Sequence, residues 1–378
     1  MTGSWPRAPL LMCSSSSRTG AVEGLISLAR QLRTLHGIDA RFAGDTVRPG
    51  ENLGEHLALA GVPWETELRL SRKVRLGDLL HDARALSSWA REGKYDLLHT
   101  AMAHDCSLAL WARARSRRAA DLRVVRAAQR SADVRRLWTL RRCDGVIVHS
   151  AKYRDMLLAS GLDPDRVACV PGSVDGAWFT PGRAPELRAR WGIPLDAPLA
   201  GIVARMKPER GHRVLLQAFA RALAQVPSAW LLLVGRGEDE QPLRALAREL
   251  GLSQRAVFGG YLRGPGLVEA YRALDVAVWL REGNDGACRG VLEAMACGVP
   301  VVAGSQGAPG ELAGETGRVV DPSDAAAVAL ALAELLGHLT KTRELGLAAR
   351  ERALQFTPRR AADETLAFWR RIRDLPRL

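Results

Sequence analysis

The chain has 378 residues and a mass of 41.0 kDa, too long for one ordinary hydrophobic core, so two domains are expected. With 47% hydrophobic and 25% charged residues, the sequence is neither disordered nor collagen-like. The net charge of +13 attracts polyanions, which narrows the partners to nucleic acid, an anionic membrane surface or a phosphorylated substrate.

Pro9-Leu-Leu-Met12 reads as a strand, followed by a small-polar loop from Cys13 to Gly20. Val22 to Leu35 has apolar residues at helical spacing, and Gly37 stops it. Strands are expected at Ala40–Ala43, Tyr95–His99, Leu122–Val125 and Gly145–Val148, with helical stretches between them. The second half repeats the design. A strand is expected at Leu199–Ala204 and a helix from about Glu209 to Val226. Further strands follow at Trp230–Val234, Ala256–Phe258, Val276–Trp279 and Pro300–Ala303. Such alternation predicts parallel sheets covered on both faces.

Between the halves, Phe179 to Pro198 holds Pro181, Gly182, Pro185, Gly192, Pro194 and Pro198, and the domain boundary is expected there. The expected division is a first domain over 1–180, a linker over 181–198 and a second domain over 199–355. A last helix over 356–378 is expected to pack back on the first domain. The fold class is α/β, with two Rossmann-like domains facing a central cleft and ligands at the carboxyl ends of the strands.

No apolar run reaches the ~18 residues of a membrane helix. The longest, Ala325 to Leu336, is broken by Glu334. The first residues lack the basic-then-apolar layout of a signal peptide. Cys13, Cys106, Cys143, Cys169, Cys288 and Cys297 are scattered with no C-x-x-C pair, as expected in a reducing cytosol. Eleven arginines crowd the span from Arg113 to Arg142, against Asp121 and Asp133, and predict a solvated basic face.

The sharpest chemistry lies in Asp285-Gly-Ala-Cys-Arg-Gly-Val-Leu-Glu293-Ala-Met-Ala-Cys-Gly-Val-Pro300-Val-Val. It reads as a loop, a short helix, a Gly298 stop and a strand. The two acids are separated by ~12 Å along the axis. Between them, the helix N-terminus near Ala287 favours an anion. Hydroxyl-binding acid, anion site and hydroxyl-binding acid match the order sugar, diphosphate, ribose. An acid that caps a helix and a second that is merely exposed would give the same spacing. Upstream, Arg205 follows a strand and Arg210-Gly211 opens the next helix. Two guanidiniums there can grip a diphosphate from one side. No H-E-x-x-H, clustered Cys/His site, G-x-S-x-G elbow or Walker loop occurs, so no protein-held metal or cofactor is expected. His99 and His104, in the loop expected after the Tyr95 strand, are candidates for contact with an acceptor; surface or packing roles compete with that reading.

The second half resembles the donor domain of family-4 retaining glycosyltransferases, which have the GT-B fold. The family's Arg followed by Lys-Gly corresponds to Arg205-Met-Lys-Pro-Glu-Arg210-Gly211. Its Glu, seven residues, Glu, then Ala-Met-Ala-x-Gly-x-Pro-Val-Val corresponds to the Asp285–Glu293 block. Looser matches lie in Ser17–Glu23, Val148–Ser150, Val170–Asp175, Val234–Glu238, Phe258–Tyr261 and Ala273–Val276.

The resemblance implies that Arg205 and Arg210 neutralise the diphosphate, Glu293 binds the ribose and Asp285 holds the donor sugar. Gly20, Gly235, Gly259, Gly260, Gly286, Ala287 and Cys288 would border the donor. Three departures stand out. Asp285 replaces a Glu, Arg210 replaces a Lys, and Gln129 falls where members often carry a His. The expected activity is metal-independent transfer of a sugar from a nucleotide diphosphate sugar to an acceptor hydroxyl, with retention. The expected acceptor is an envelope polysaccharide or glycolipid, and the expected location is the cytoplasm, at the inner face of the membrane. A binding protein that has lost transfer is one rival. A basic nucleic-acid-binding protein is another, although only 5% of residues are aromatic and no binding motif appears.

Overall fold

In the computed structural model, the described residues are 5–15, 19–45, 53–70, 75–115, 122–128, 131–135, 137–281 and 288–378. Seven parallel strands form the first sheet: β1 (Pro9–Cys13), β2 (Arg41–Gly44), β3 (Trp64–Glu65), β4 (Leu97–Thr100), β5 (Arg123–Ala128), β6 (Gly145–Val148) and β7 (Val167–Cys169). Their order is β3-β2-β1-β4-β5-β6-β7. Every residue of β1, β4, β5 and β6 is buried, because helices cover both faces of a parallel sheet. One face carries the helices Leu76–Glu92 and Ala103–Arg115 through Leu86, Trp89, Leu108 and Ala112. The other carries the helix Gly20–His36 through Val22, Leu25, Ile26 and Leu32.

The predicted helix after β1 is present and slightly longer than the periodic run. Thr19 caps it by accepting a hydrogen bond from Val22 N, and Gly37, at φ 63°, ends it. The helix Pro358–Arg373 belongs to this first unit. Leu366, Phe368, Trp369 and Ile372 bury themselves with Leu11, Val125 and Ile147.

Six parallel strands form the second sheet: β8 (Leu199–Val203), β9 (Trp230–Val234), β10 (Ala256–Gly260), β11 (Val276–Trp279), β12 (Val301–Gly304) and β13 (Arg318–Val320). Their order is β10-β9-β8-β11-β12-β13. This unit comprises described residues 173–281 and 288–357. The helix expected from Glu209 starts instead at His212 and ends at Ala222. Gly211 sits at φ 83°, which a continuous helix cannot accommodate, so Pro208–Arg210 is left as a separate 3₁₀ turn. Three strands were not read from the sequence: β3, β7 and β13. Each lies at a sheet edge and spans two or three residues, too short to show a period.

The basic span needs a correction. Arg115, Arg135, Arg141 and Arg142 are exposed. Arg123 and Arg126 are buried, and Arg113 is turned inward onto Asp144 and the Arg142 carbonyl. The span is therefore not one solvated face.

Candidate functional site

Both sheets have a topological switch point, where the chain's winding reverses. It falls between β1 and β4 in the first sheet and between β8 and β11 in the second. Ligands of open α/β sheets bind outside the strand carboxyl ends at such points. In the second unit, Arg205 and Arg210 follow β8, and the segment after β11 leads into the helix Arg289–Ala296, which carries Glu293. The sequence-predicted groups thus flank the switch point.

Arg205 is exposed, whereas Arg210 is only 8% exposed and its Nε has no hydrogen-bond partner among the described residues. Beside it, the fully buried His212 has both ring nitrogens without partners among the described residues. Burial, then the Arg210 charge, pushes the His212 pKa down to about 4, against an opposing pull from Asp239. Asp239 accepts a hydrogen bond from Arg213 on Oδ1 (2.8 Å), while its buried Oδ2 has no partner among the described residues. Orphaned polar atoms on three neighbouring groups mark a place built to be completed by a ligand or by water.

Glycines set how closely these loops approach. A Cβ on Gly235 would lie 2.0 Å from the Ala204 carbonyl oxygen, and one on Gly237 would lie 2.1 Å from that of Met206. The loop after β9 therefore rests directly on the loop that carries Arg205. The Met206 N donates to Arg236 O (3.1 Å), and Gly235 N donates to Gly260 O (2.8 Å), tying in β10 as well. Gly260 faces open space at φ 72°. Gly259 instead makes room for the Trp191 ring, 2.8 Å from where its Cβ would be. Arg236 stacks over Tyr261 at 4.5 Å, next to this open position.

Glu293 is buried in the second turn of its helix. Its Oε2 accepts from the Tyr271 hydroxyl (2.9 Å), and its Oε1 lies 3.3 Å from the Arg289 guanidinium. Burial, then the Glu293 charge, raises the Tyr271 pKa well above the usual phenol range, so Tyr271 stays a donor. Tyr271 went unnoticed in the sequence because only packing brings it to Glu293. The helix is entered through Cys288, which is buried and held at φ 45°. Gly290 is required there because a Cβ would run into the Trp279 ring at 2.1 Å. Asp285, Gly286, Ala287 and Gln129 lie outside the described residues.

In the first unit, Gly20 opens the helix after β1. His99 is not in a loop: it lies within β4, buried edge-on against Trp369 at 5.6 Å. Burial, then His149 and Arg126, pushes its pKa down to about 3. His104 is half-buried in the first turn of the next helix. Arg126 and Asp105 were missed by sequence reasoning. Arg126, 2% exposed, donates to Ala127 O (2.6 Å) and pairs with Asp133 (3.1 Å). The Asp105 Oδ2 accepts from Ser14 N (3.1 Å) and Met102 N (3.2 Å), joining the loops after β1 and β4. Its partners are far apart in the chain, so no local motif announces it.

Two Rossmann-like units, each with a switch point at its strand carboxyl ends, are the units of a GT-B fold. Comparisons with known proteins agree. Residues 184–352 match the family described as glycosyl transferases group 1, and residues 18–178 match Glycosyltransferase Family 4. Each unit thus matches a glycosyltransferase domain family, and the two matches together span most of the chain. A D-inositol 3-phosphate glycosyltransferase of Acidothermus cellulolyticus is 34% identical over 194 residues, covering 48% of this chain and 43% of that protein. A GDP-mannose-dependent alpha-(1-6)-phosphatidylinositol monomannoside mannosyltransferase of Mycolicibacterium smegmatis is 33% identical over 221 residues, covering 55% and 57%. The chain thus spans about half the length of the curated relatives it matches. The crystal structure of Anabaena Alr3699/HepE in complex with UDP-glucose superposes with a TM-score of 0.79 at 21% identity, covering 95% of this chain and 99% of that one.

Proposed function

We propose that this protein transfers a sugar from a nucleotide diphosphate sugar to an acceptor hydroxyl, with retention. The observation that carries this reading is Arg210: a buried guanidinium at the switch point of the second sheet, its Nε without a partner among the described residues. Relatives named for GDP-mannose and a fold neighbour holding UDP-glucose support a nucleotide sugar as donor.

The bond to break is an anomeric C–O bond whose leaving group is a diphosphate. Negative charge grows on the phosphate as positive charge grows on the sugar ring. Arg210 and Arg205 supply fixed positive charge where the phosphate charge develops. They fill the counter-ion role, so the proposed chemistry needs no metal. Glu293, held by Tyr271, accepts hydrogen bonds from the ribose hydroxyls, and Asp285 holds the donor sugar. Retention follows from the family resemblance, with the departing phosphate as the only base the reaction needs.

The proposed acceptor is an envelope glycolipid or saccharide, reached from the cytoplasmic side of an anionic membrane. The relative named for phosphatidylinositol monomannoside supports it. The test is a screen of nucleotide sugars by saturation-transfer NMR, then turnover with the donor that binds, with and without EDTA. Donor binding without turnover favours a protein that has lost transfer, which the Asp285 and Gln129 departures motivate. Loss of activity in EDTA that added metal restores would contradict the metal-free mechanism. Calorimetry with nucleoside diphosphate alone checks the polarity. Glu293→Gln is expected to weaken that binding, and Asp285→Asn is expected to spare it and slow transfer.

A further inference from the structure

We propose that Cys106 and Cys143 are a peroxide-oxidised thiol pair: Cys106 is the attacking sulfur, Cys143 resolves it, and the product is a reversible disulfide. Their Sγ atoms lie 3.4 Å apart in the core of the first unit. Cys106 stands in the first turn of the helix Ala103–Arg115, and Cys143 in the turn between the helix Leu137–Leu140 and β6. Both backbones are pinned. Cys106 N donates to Met102 O (3.1 Å) and Cys143 N to Leu140 O (3.0 Å). Asp144, next to Cys143, accepts from Val124 N (2.8 Å) and Arg123 (3.1 Å). Arg113, about two turns beyond Cys106, reaches Asp144 and the Arg142 carbonyl (2.7 Å). The helix and the turn are thus clamped together, which holds the sulfurs in contact.

The two sulfurs are not equivalent. Cys106 lies at a helix N-terminus, where the dipole favours a thiolate. A hydrogen bond from Cys143 lowers the Cys106 pKa; burial opposes that shift and the Arg126 charge adds to it. Cys143 is the reverse. Its hydrogen bond to Cys106, then burial, raises its pKa well above the usual thiol range. Its proton is shared between Cys106 and the Thr139 carbonyl (3.4 Å). The proton therefore stays on Cys143, and the nucleophile is Cys106.

The Cys106 thiolate attacks one oxygen of hydrogen peroxide. The O–O bond breaks, leaving a sulfenic acid on Cys106 and a hydroxide that takes up the thiol proton as water. The Cys143 sulfur then attacks the sulfenic sulfur and gives up its proton. The S–O bond breaks, a second water leaves and the S–S bond forms, so the sulfur pair loses two electrons to the peroxide. Both thiols are buried, so local opening admits a water-sized oxidant before a bulky disulfide such as oxidised glutathione. Closing the sulfurs from 3.4 Å to the ~2.05 Å of a disulfide draws in the first turn of the helix. Asp105, in that turn, holds the loops after β1 and β4 through Ser14 N and Met102 N at the first sheet's switch point. Oxidation is therefore expected to slow transfer and spare nucleotide binding by the second unit. That consequence rests on the transfer reading; disulfide formation does not.

The experiment treats the full chain with hydrogen peroxide or with oxidised glutathione, blocks remaining thiols with iodoacetamide and reads linked peptides by mass spectrometry. Peroxide is expected to join Cys106 to Cys143, and dithiothreitol to reverse the link. In C143S, dimedone is expected to trap Cys106 as its sulfenic acid. In C106S, both the link and dimedone labelling of Cys143 are expected to be lost. The link itself is read on the unaltered chain, so a variant that fails to fold leaves the test standing. Oxidation is expected to lower turnover reversibly and to change nucleoside diphosphate affinity by less than about 2-fold, as is usual for a remote site. No Cys106–Cys143 link in peroxide, an equal yield with oxidised glutathione, or dimedone labelling of Cys143 in C106S would each overturn the proposal. A linked chain that turns over as fast as the reduced one would overturn its effect on transfer. Reversible linkage in a chain that neither binds nor turns over any nucleotide sugar would leave the thiol pair intact and sink the transfer reading instead.

Discussion

Arg210 and Arg205 occupy different environments, and their variants should separate accordingly. Arg210 is buried and incompletely bonded, whereas Arg205 is exposed to water. A charge-assisted phosphate contact contributes ~1.5–3 kcal/mol, so Arg210→Ala is expected to cost ~10- to 100-fold in nucleoside diphosphate affinity. Arg205→Ala is expected to cost less in affinity, because solvent screens its charge. Titration calorimetry checks the ranking, and unchanged affinity in both variants would remove the diphosphate assignment. His212 gives a pH test. Its folded pKa of about 4 lies below the unfolded value of ~6.5. As the pH falls, the unfolded chain takes up the proton first. Stability from neutral His212 is therefore complete above pH ~6.5, is lost between ~6.5 and ~4, and amounts to roughly 3 kcal/mol. Urea unfolding across that window should be flatter for His212→Gln than for the parent chain. Equal slopes would mean that the imidazole is not held neutral.

The loops after β8, β9 and β10 act as one element because glycine lets their backbones touch. Gly235→Ala should lower both thermal stability and nucleotide affinity, since its Cβ would fall 2.0 Å from the Ala204 carbonyl at a φ of 145°. Gly24 provides the contrast. It lies inside the helix Gly20–His36 with nothing within 4 Å of an added Cβ. Gly24→Ala should stabilise by ~0.5–1 kcal/mol through helix propensity and reduced unfolded-state entropy. Differential scanning calorimetry reads both signs. Two losses, or two gains, would contradict the close-approach argument.

Across the whole molecule, the last helix completes a core built by residues more than two hundred positions earlier. Trp369 is fully buried and touches His99 in β4, while a Cβ on Gly145 would strike the Phe368 ring at 2.7 Å. Trp369→Ala is expected to destabilise the first unit by ~3–5 kcal/mol. The second unit holds a separate core and should keep its own unfolding transition. Limited proteolysis should then cut first within the first unit. Simultaneous cleavage of both units would show that they unfold together.

Much of this was written locally in the chain. Long apolar strands, helix stops such as Gly37, and the sequence from Arg289 to Val302 have periods and punctuation that depend only on neighbours. The parallel α/β architecture follows from them, because a strand–helix alternation has few right-handed ways to close. The positions of Arg205 and Arg210 after β8, and of Glu293 in its helix, were legible for the same reason. The edge strands β3, β7 and β13 were too short to carry a period. The basic span from Arg113 to Arg142 looked uniform because charge counts do not say which way a side chain points. Only the tertiary structure turned Arg113, Arg123 and Arg126 inward, buried His99 against Trp369, and paired Tyr271 with Glu293 and Asp105 with Ser14. Local rules set what each segment can form; which polar groups lose water and must find one another is decided by packing between segments distant in the chain.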